Sequence, residues 1–214
     1  LPKQAWTRLL LVLEPNGRNG RWREDELYPQ LAAAGIAVCA ADVRGTGDLA
    51  PQFSPGAASY ARPHQSEENY AWAGLILGRG LLGQRVTDIL AFAAALAHAY
   101  PAARLSVAAL DKMTVPALCA AALHPRIASL YLARHLVSWR SLVETEDYSH
   151  PLANFVPNVL AATDLPAIAR SIAPRPVIVA GAVDAAGRLL LRSAAPYENY
   201  REDPAWDFSA LSRL

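Results

Sequence analysis

The sequence predicts an α/β fold in which a mostly parallel sheet carries helices on both faces. Five short runs rich in valine, isoleucine and leucine have the length of strands. The runs are apolar without strict alternation, which is typical of strands that are covered on both faces. Segments with a helical spacing of apolar residues lie between these runs, and strands that alternate with helices indicate a parallel sheet.

The boundaries of the predicted elements carry the expected start and stop signals. Gly35 follows the first helix, where a left-handed C-terminal residue is favoured, and Pro101 and Pro125 each follow a helical run. Asp164 precedes Leu165 and Pro166, which is typical of a helix start. The strands are expected at residues 9–13, 36–41, 105–109, 130–132 and 177–180, and the helices at 25–34, 83–98, 115–123 and 165–171.

Two longer stretches interrupt this alternation. Residues 49–68 contain several prolines and serines, and residues 138–163 form a second insertion. Loops of this length inside a domain are usually functional or disordered. Their aromatic residues, Tyr60, Tyr148 and Phe155, favour order, so we expect both stretches to be ordered loops near the sheet's end.

Length and composition limit the class of protein. The 214 residues suit a single domain spanning 1–214, and a 53 % hydrophobic content supplies a large core. A net charge of +1 gives no reason to expect nucleic acid or an anionic membrane as a partner, and the apolar runs are too short for a membrane span. The chain begins with Leu1 and shows no signal peptide, so we expect an excised or processed part of a longer chain.

The two cysteines do not indicate a cellular compartment, and the sequence contains no motif that indicates a cofactor. Cys39 and Cys119 lie inside apolar runs, where buried thiols serve packing, and they do not report a compartment. No cysteine pair, histidine pair or calcium loop with metal-ligand spacing is present, so we expect neither a metal nor a cofactor.

Polar residues follow every predicted strand. In open parallel sheets, ligands bind at the carboxyl ends of the strands, so these residues are the candidates for a site. The segments that follow the five strands are 14–17, 42–48, 110–113, 133–135 and 181–184.

Several of these segments resemble the α/β-hydrolase superfamily. Residues 42–47, Asp-Val-Arg-Gly-Thr-Gly, look like the D-x-R-G-x-G turn of its esterases and peptidases, and residues 173–176, Ala-Pro-Arg-Pro, look like the segment before their penultimate strand. Residues 77–79, 82–89 and 155–160 narrow the resemblance to bacterial acetylxylan-esterase-like proteins. The resemblance covers residues 9–190 and implies hydrolysis of a carboxylic ester.

The nucleophile position departs from the pattern of that superfamily. Its G-x-S-x-G motif, in which small residues allow a tight turn, falls on Ala109, Asp111 and Met113. Serine and both glycines are absent, so the elbow is degenerate. Asp111 is also similar to the aspartate nucleophile of dehalogenase-like and epoxide-hydrolase-like enzymes, which forms a covalent ester.

The sequence has a candidate for the acid of a catalytic triad but no histidine at the expected position of the base. Asp184, in a G-x-x-D turn, occupies the acid position, but residues 188–214 contain no histidine where the resemblance requires one. His135 follows a strand at the same edge, and His150 lies in the second insertion, so these two are the candidate substitutes. Both also fit structural roles, His135 as a partly buried residue bonded to backbone and His150 as a surface-loop residue. The remaining histidines, His64, His98 and His124, fit structural positions.

Four further residues are candidates for an oxyanion site or ligand cleft. Asn16 and Gly17 occupy the oxyanion-loop region, where Pro15 lacks an N–H, and Lys112 follows the nucleophile position. Trp139 lies near the expected cleft and is either a ligand platform or a packing residue. Asp42 with Arg44 fits a structural role in the turn after the second strand.

Two hypotheses follow for the function. The first is a protein related to acetylxylan and carboxylic-ester hydrolases with an impaired or non-catalytic site, which packs against another domain of the same parent chain or binds a carbohydrate or ester ligand. The alternative is an active carboxylesterase of the acetyl-esterase type that uses Asp111 and Asp184 with His135 or His150.

Overall fold

One parallel sheet organises the computed structural model, which describes residues 1–23, 25–50 and 66–214. Within those residues the sheet has six strands in the order β2-β1-β3-β4-β5-β6, and every neighbouring pair is parallel. The strands are β1 Arg8–Leu13, β2 Ile36–Ala40, β3 Arg104–Leu110, β4 Ile127–Ala133, β5 Val177–Ala180 and β6 Asn199–Arg201.

Helices cover both faces of this sheet, as predicted. They are α1 Leu27–Ala33, α2 Ser66–Ile76, α3 Leu81–Ala99, α4 Thr114–Leu123, α5 Trp139–Val143, α6 Leu165–Ser171 and α7 Phe208–Leu211. Helices α3, α4 and α6 contribute to the core on one face, and α1 and α7 contribute to the core on the other. Within the described ranges no single helix is long and apolar enough to cross a membrane, although two bent helix pairs meet the criteria of length and composition.

The two cores explain why the strands are apolar without alternation. Successive side chains of a strand point to opposite faces. In β1, Leu9 and Leu11 belong to the α3–α4 core, whereas Leu10 and Val12 belong to the α1–α7 core. All four are nearly inaccessible, so every position along the strand must be apolar. The predicted class, a parallel sheet with helices on both faces, is therefore confirmed.

The structure differs from the sequence prediction at the edge of the sheet and in the two loops. Strand β6 was not predicted, because Asn-Tyr-Arg carries no apolar signal and the strand pairs only through its backbone with β5. Helix α2 begins at Ser66, inside the predicted loop 49–68, whereas residues 51–65, with Tyr60 and His64, lie outside the described residues. The predicted loop 138–163 contains α5 and two 3-10 turns, Leu152–Asn154 and Val159–Ala161.

Candidate functional site

A tight strand-turn-helix connection places Asp111 at the carboxyl edge of the sheet. Strand β3 ends at Leu110, a 3-10 turn spans Asp111–Met113, and α4 begins at once at Thr114. Asp111 has a left-handed backbone with φ of 52°, and its side chain is exposed. Aspartate is one of the few non-glycine residues that tolerate this conformation. Met113 is fully buried in the core. A strand, a 3-10 turn and a helix thus follow one another directly at the position where the sequence analysis predicts a degenerate elbow, and we refer to this turn as the elbow.

Lys112, the residue after Asp111, is held by an ion-pair network. Its ammonium group pairs with one carboxylate oxygen of Glu67 on α2, and the other oxygen accepts a 2.8 Å bond from the fully buried guanidinium of Arg85. Burial acts to raise the pKa of Glu67, but the Lys112 hydrogen bond and the charges of Arg85 and Lys112 lower it overall. The Lys112 ammonium therefore has a charged partner within the protein.

Arg85 connects this network to the loop that follows β2. Its Nε donates to the carbonyl of Arg44 at 3.0 Å, so α3 is bonded to that loop as well as to α2. The Arg44 side chain forms a two-pronged pair with Asp88 on the same helix. The hydrogen bonds that Arg44 donates to Asp88, together with the negative charge of Asp88, raise the pKa of Arg44. The guanidinium of Arg44 therefore stays charged.

A hydrogen-bonded chain connects His150 to the elbow through Asn154. Both side chains are at least nine-tenths buried. The Asn154 amide nitrogen donates to the carbonyl of Lys112 at 2.8 Å and lies 3.0 Å from His150 Nε2. Only an NH₂ group can face the Lys112 carbonyl, so His150 Nε2 accepts and the proton of the neutral ring lies on Nδ1. Burial lowers the pKa of His150 to about 4, against an opposing effect of Glu67.

His135 lies fully buried near His150. Its ring packs edge-on against Tyr197 with 5.5 Å between ring centroids, and neither ring nitrogen has a hydrogen-bond partner among the residues that the structure describes. Burial, reinforced by the proximity of His150, lowers the pKa of His135 to about 3. The structural role expected from the sequence, a partly buried ring bonded to backbone, is wrong in both respects, because the ring is completely enclosed and unbonded.

Asp184 is bonded within its own turn. Its carboxylate accepts from the backbone N–H groups of Ala186 and Arg188, at 3.0 and 2.9 Å, and from Nε of Arg188 at 2.8 Å. Burial acts to raise the pKa of Asp184, but the bonds from Arg188 lower it overall. Among the residues that the structure describes, no histidine donates to this carboxylate. The second insertion reaches the same turn, since the N–H of Ser149 donates to the carbonyl of Ala185 at 2.8 Å.

The oxyanion-loop candidates are bonded to their own neighbours. The N–H of Gly17 donates to the carbonyl of Glu14 at 3.0 Å, and the N–H of Arg18 donates to Asp42 Oδ1 at 2.6 Å. Asn16 is exposed. Asp42 also accepts from the N–H of Asp48 at 3.1 Å, so this buried carboxylate joins the loops after β1 and β2. The structural role expected for Asp42 is confirmed.

Trp139 is part of the core, with 4 % of its surface exposed. Its indole N–H donates to the carbonyl of Asn154 at 2.9 Å, and its backbone N–H donates to Asp164 Oδ1 at 2.7 Å. A ring enclosed in this way has no free face for a ligand. Of the two roles considered for Trp139, the structure therefore shows packing and not a cleft platform.

An acidic cavity of about 440 Å³ lies beside the elbow network. His150 and the neighbouring Tyr148 and Ser149 form one part of its wall, and the start of α2 forms another. Within the described ranges, no group of three or more histidine, cysteine, aspartate or glutamate side chains could hold a metal ion. The carboxylates that line the cavity are those of Glu67, Glu68, Glu146 and Asp147.

Sequence reasoning missed Glu67, Arg85 and Asn154. Arg85 had a detectable signal, because it lies four residues from Leu81 and from Ile89 and so falls on the apolar stripe of α3. A charged residue on such a stripe requires a buried partner. Glu67 and Asn154 gave no comparable signal, since the Lys112 ammonium and the Lys112 carbonyl that they contact lie 45 and 42 residues away in the sequence.

The comparison with solved structures defines the fold. A Bacteroides fragilis protein assigned to the acetyl xylan esterases aligns over 83 % of this chain and 53 % of its own, with 14 % identity and a TM-score of 0.68. The chain thus spans about half the length of that relative. The chain described here has an α/β-hydrolase-like fold. Acetyl Xylan Esterase 1 from Thermoanaerobacterium sp. JW/SL YS485 aligns over 99 % of this chain and 75 % of its own, with 16 % identity and a TM-score of 0.58.

These likenesses concern the fold alone, because the identities are low. No family model and no curated protein matches the sequence. The esterase-like, α/β-hydrolase-like architecture implied by residues 42–47 and 173–176 is therefore supported by shape.

We expect Gly17→Ala to destabilise the protein. Gly17 has φ of 79°, and a Cβ atom there would overlap Asp42 Oδ1 and the backbone of Gly47. The strained backbone and the lost space should lower the free energy of unfolding by about 2 kcal/mol or more. Gly20→Ala is the matched control, because Gly20 has open space around it, and it should change the value by less than about 1 kcal/mol. Urea unfolding measures both, and equal effects would contradict the close packing of the two loops.

We expect His135 to make the protein acid-sensitive. Its pKa is about 3 in the folded protein against an ordinary 6.5, so the unfolded chain binds the extra proton between these values. The contribution of neutral His135 to the free energy of unfolding is fully present above pH 6.5. It declines as the pH falls toward 3, by about 1.4 kcal/mol per pH unit for this one group. His135→Phe keeps an aromatic ring against Tyr197 and should remove that slope, whereas His98→Gln, at an exposed site, should not. Urea unfolding at several pH values tests this, and an unchanged slope in His135→Phe would refute it.

Proposed function

We propose that this chain is a non-catalytic relative of bacterial acetylxylan and carboxylic-ester hydrolases, and that its role is association rather than turnover. The observation that carries the proposal is the bonding of Asp184. The acid of a triad must accept from a histidine to orient it. Asp184 instead accepts three hydrogen bonds from Ala186 and Arg188, inside its own turn.

The state of the two histidines supports the same proposal. A general base works best when its pKa lies near the working pH. The pKa values of His135 and His150 are about 3 and about 4, so both rings are poor proton acceptors at neutral pH. Within the described residues, neither ring is hydrogen-bonded to Asp111 or Asp184.

Two backbone donors of the oxyanion region are also already used within the protein. Stabilisation of a tetrahedral intermediate requires N–H groups aimed at the developing charge. The N–H groups of Gly17 and Arg18 already donate to Glu14 and Asp42. Binding an oxyanion there would require these loop bonds to break first.

A second candidate function rests on Asp111 itself. The left-handed backbone of Asp111 and its exposed carboxylate match the presentation of a nucleophile on an elbow. In that case an Asp111 oxygen would attack the substrate carbon, the leaving group would depart, and water would cleave the resulting acyl or alkyl carboxylate. The cleavage step needs a base, for which His135 and His150 are the candidates.

An ester-hydrolysis assay separates the two functions. We expect the wild-type chain to release 4-nitrophenol from 4-nitrophenyl acetate, and acetate from acetylated xylan, no faster than Asp111→Asn. The substitution is close to isosteric and removes the nucleophilic charge. Circular dichroism and the urea midpoint confirm that both chains are folded. A rate at least tenfold above that of Asp111→Asn would replace the proposal with the nucleophile mechanism.

An exposed apolar surface supports the association role. A groove of about 430 Å³ lies between the end of α2, α3 and α4 and is lined almost entirely by apolar residues. Two of its large lining side chains are exposed, Leu123 by 67 % and Val156 by 38 %. Contiguous apolar patches of this kind mark sites of protein association. We propose that the apolar surface of another domain packs here.

We expect the isolated chain to self-associate weakly through this groove. Sedimentation velocity over a range of concentrations should show a rising average mass for the wild type. The double variant Leu123→Glu and Val156→Glu should stay monomeric, because charges in the groove cannot be buried without a partner. Leu191→Glu is the control, since Leu191 is 69 % exposed but does not line the groove. A wild type that is monomeric throughout would count against an adhesive surface.

A further inference from the structure

A short segment of the second insertion, residues 146–154, lies over the elbow, and we refer to it as the cover. Its end is bonded to the elbow through Asn154 and the carbonyl of Lys112. Its middle packs on α2, where Leu152 and Ala153 share a small apolar cluster with Ala71. The cover is also bonded to the Asp184 turn by the N–H of Ser149, and the carbonyl of Asn154 accepts from the indole N–H of Trp139. The Asn154 contact is thus the hydrogen bond that joins the cover to the elbow.

The His150–Asn154 contact tolerates only a neutral histidine. The Asn154 NH₂ group serves two acceptors, the Lys112 carbonyl at 2.8 Å and His150 Nε2 at 3.0 Å. A protonated ring carries hydrogen on both nitrogens, so Nε2 would point a proton at the NH₂ group. Rotating the amide would instead place its oxygen against the Lys112 carbonyl oxygen. Either arrangement turns one of the two attractive contacts into a repulsive one.

Charged and titratable groups surround His150 unevenly. The cavity wall supplies the carboxylates of Glu67 and Glu68 from α2 and those of Glu146 and Asp147 from the cover. Lys112 from the elbow and Arg85 from α3 face Glu67 and neutralise part of this charge. The remaining carboxylates favour an imidazolium that turns toward the cavity.

On the side of His150 that faces the protein interior, the neighbouring groups do not stabilise a second positive charge. His135 and Tyr197 lie there, and within the described residues the His135 ring nitrogens are buried without hydrogen-bond partners. A charge on His135 would be close to one on His150, and the two charges would repel each other. Acid should therefore place a single proton, and it should reach His150, which borders the cavity.

We propose that residues 146–154 form an acid-opened cover, in which one proton on His150 breaks its link to Asn154 and detaches the cover from Lys112. The open state frees the carbonyl of Lys112, which accepts from Asn154 in the closed state. The closed state is the one described by the structure, with His150 neutral and Asn154 bonded to both partners.

The pKa of His150 sets the direction and range of this change. In the closed state it is about 4, and a released ring returns toward the ordinary 6.5. The open state therefore binds the proton more tightly, and opening becomes about tenfold more favourable for each pH unit between 6.5 and 4. Above pH 6.5 the cover should be insensitive to pH.

Hydrogen exchange followed by mass spectrometry tests the proposal on the intact chain. After correction for the intrinsic pH dependence of exchange, peptides covering residues 146–154 should exchange about tenfold faster at pH 5.5 than at pH 7.5. Peptides from β3 should not show the same rise, because they report global unfolding. An equal acceleration of β3 and the cover would overturn the proposal, since it would mean that acid unfolds the whole domain.

Variants of the two residues identify the trigger. His150→Gln keeps an acceptor near the position of Nε2 but cannot take a proton, so its cover should remain closed at pH 5.5. His98→Gln, at an exposed histidine, should open like the wild type. Asn154→Ala removes the link and should show rapid exchange of the cover already at pH 7.5, with β3 still protected. Acid opening that persists in His150→Gln, or a cover still protected in Asn154→Ala, would overturn the proposal.

Discussion

The buried guanidinium of Arg85 is the interaction on which the site region depends. It comes from the apolar stripe of α3 and is bonded to the loop after β2 and to Glu67 on α2, which in turn holds Lys112 at the elbow. A buried charge must be paired, so these four elements cannot move apart without exposing or isolating it. The position of α2 over the sheet edge, and with it the wall of the acidic cavity, follows from this constraint.

Several residues that the sequence analysis predicts for a hydrolase site are bonded within the protein. Asp111 has a left-handed backbone, and the next side chain, Lys112, is paired with Glu67. The carboxylate of Asp184 accepts from Arg188, and the N–H of Gly17 donates to Glu14. Catalytic groups normally keep unsatisfied bonding capacity for the substrate, whereas structural groups use theirs internally. This distribution of hydrogen bonds supports the proposal that the chain combines an α/β-hydrolase-like fold with a non-catalytic role.

Two neutral histidines lie at the same edge of the sheet in a low-polarity interior, and they make the stability of this region depend on pH. His135 and His150 are stable there only while uncharged, because burial disfavours the imidazolium. Their energetic effects differ with position. His135 is enclosed against Tyr197, so its protonation competes with the global fold. His150 borders the cavity and is bonded to one amide, so its protonation competes only with a local contact.

The sequence by itself determined the architecture. The continuous apolar runs at residues 9–13 and 105–109 specify strands buried on both faces, and the helices between them require a parallel sheet. The sequence also placed Asp111, His135 and Asp184 at the ends of strands. Only the tertiary structure decided what these residues can do. Lys112 finds its partner 45 residues away at Glu67, and Asn154 reaches back 42 residues to the Lys112 carbonyl. Apolar burial is encoded locally by composition and period, but hydrogen-bond satisfaction depends on which distant groups the fold brings together.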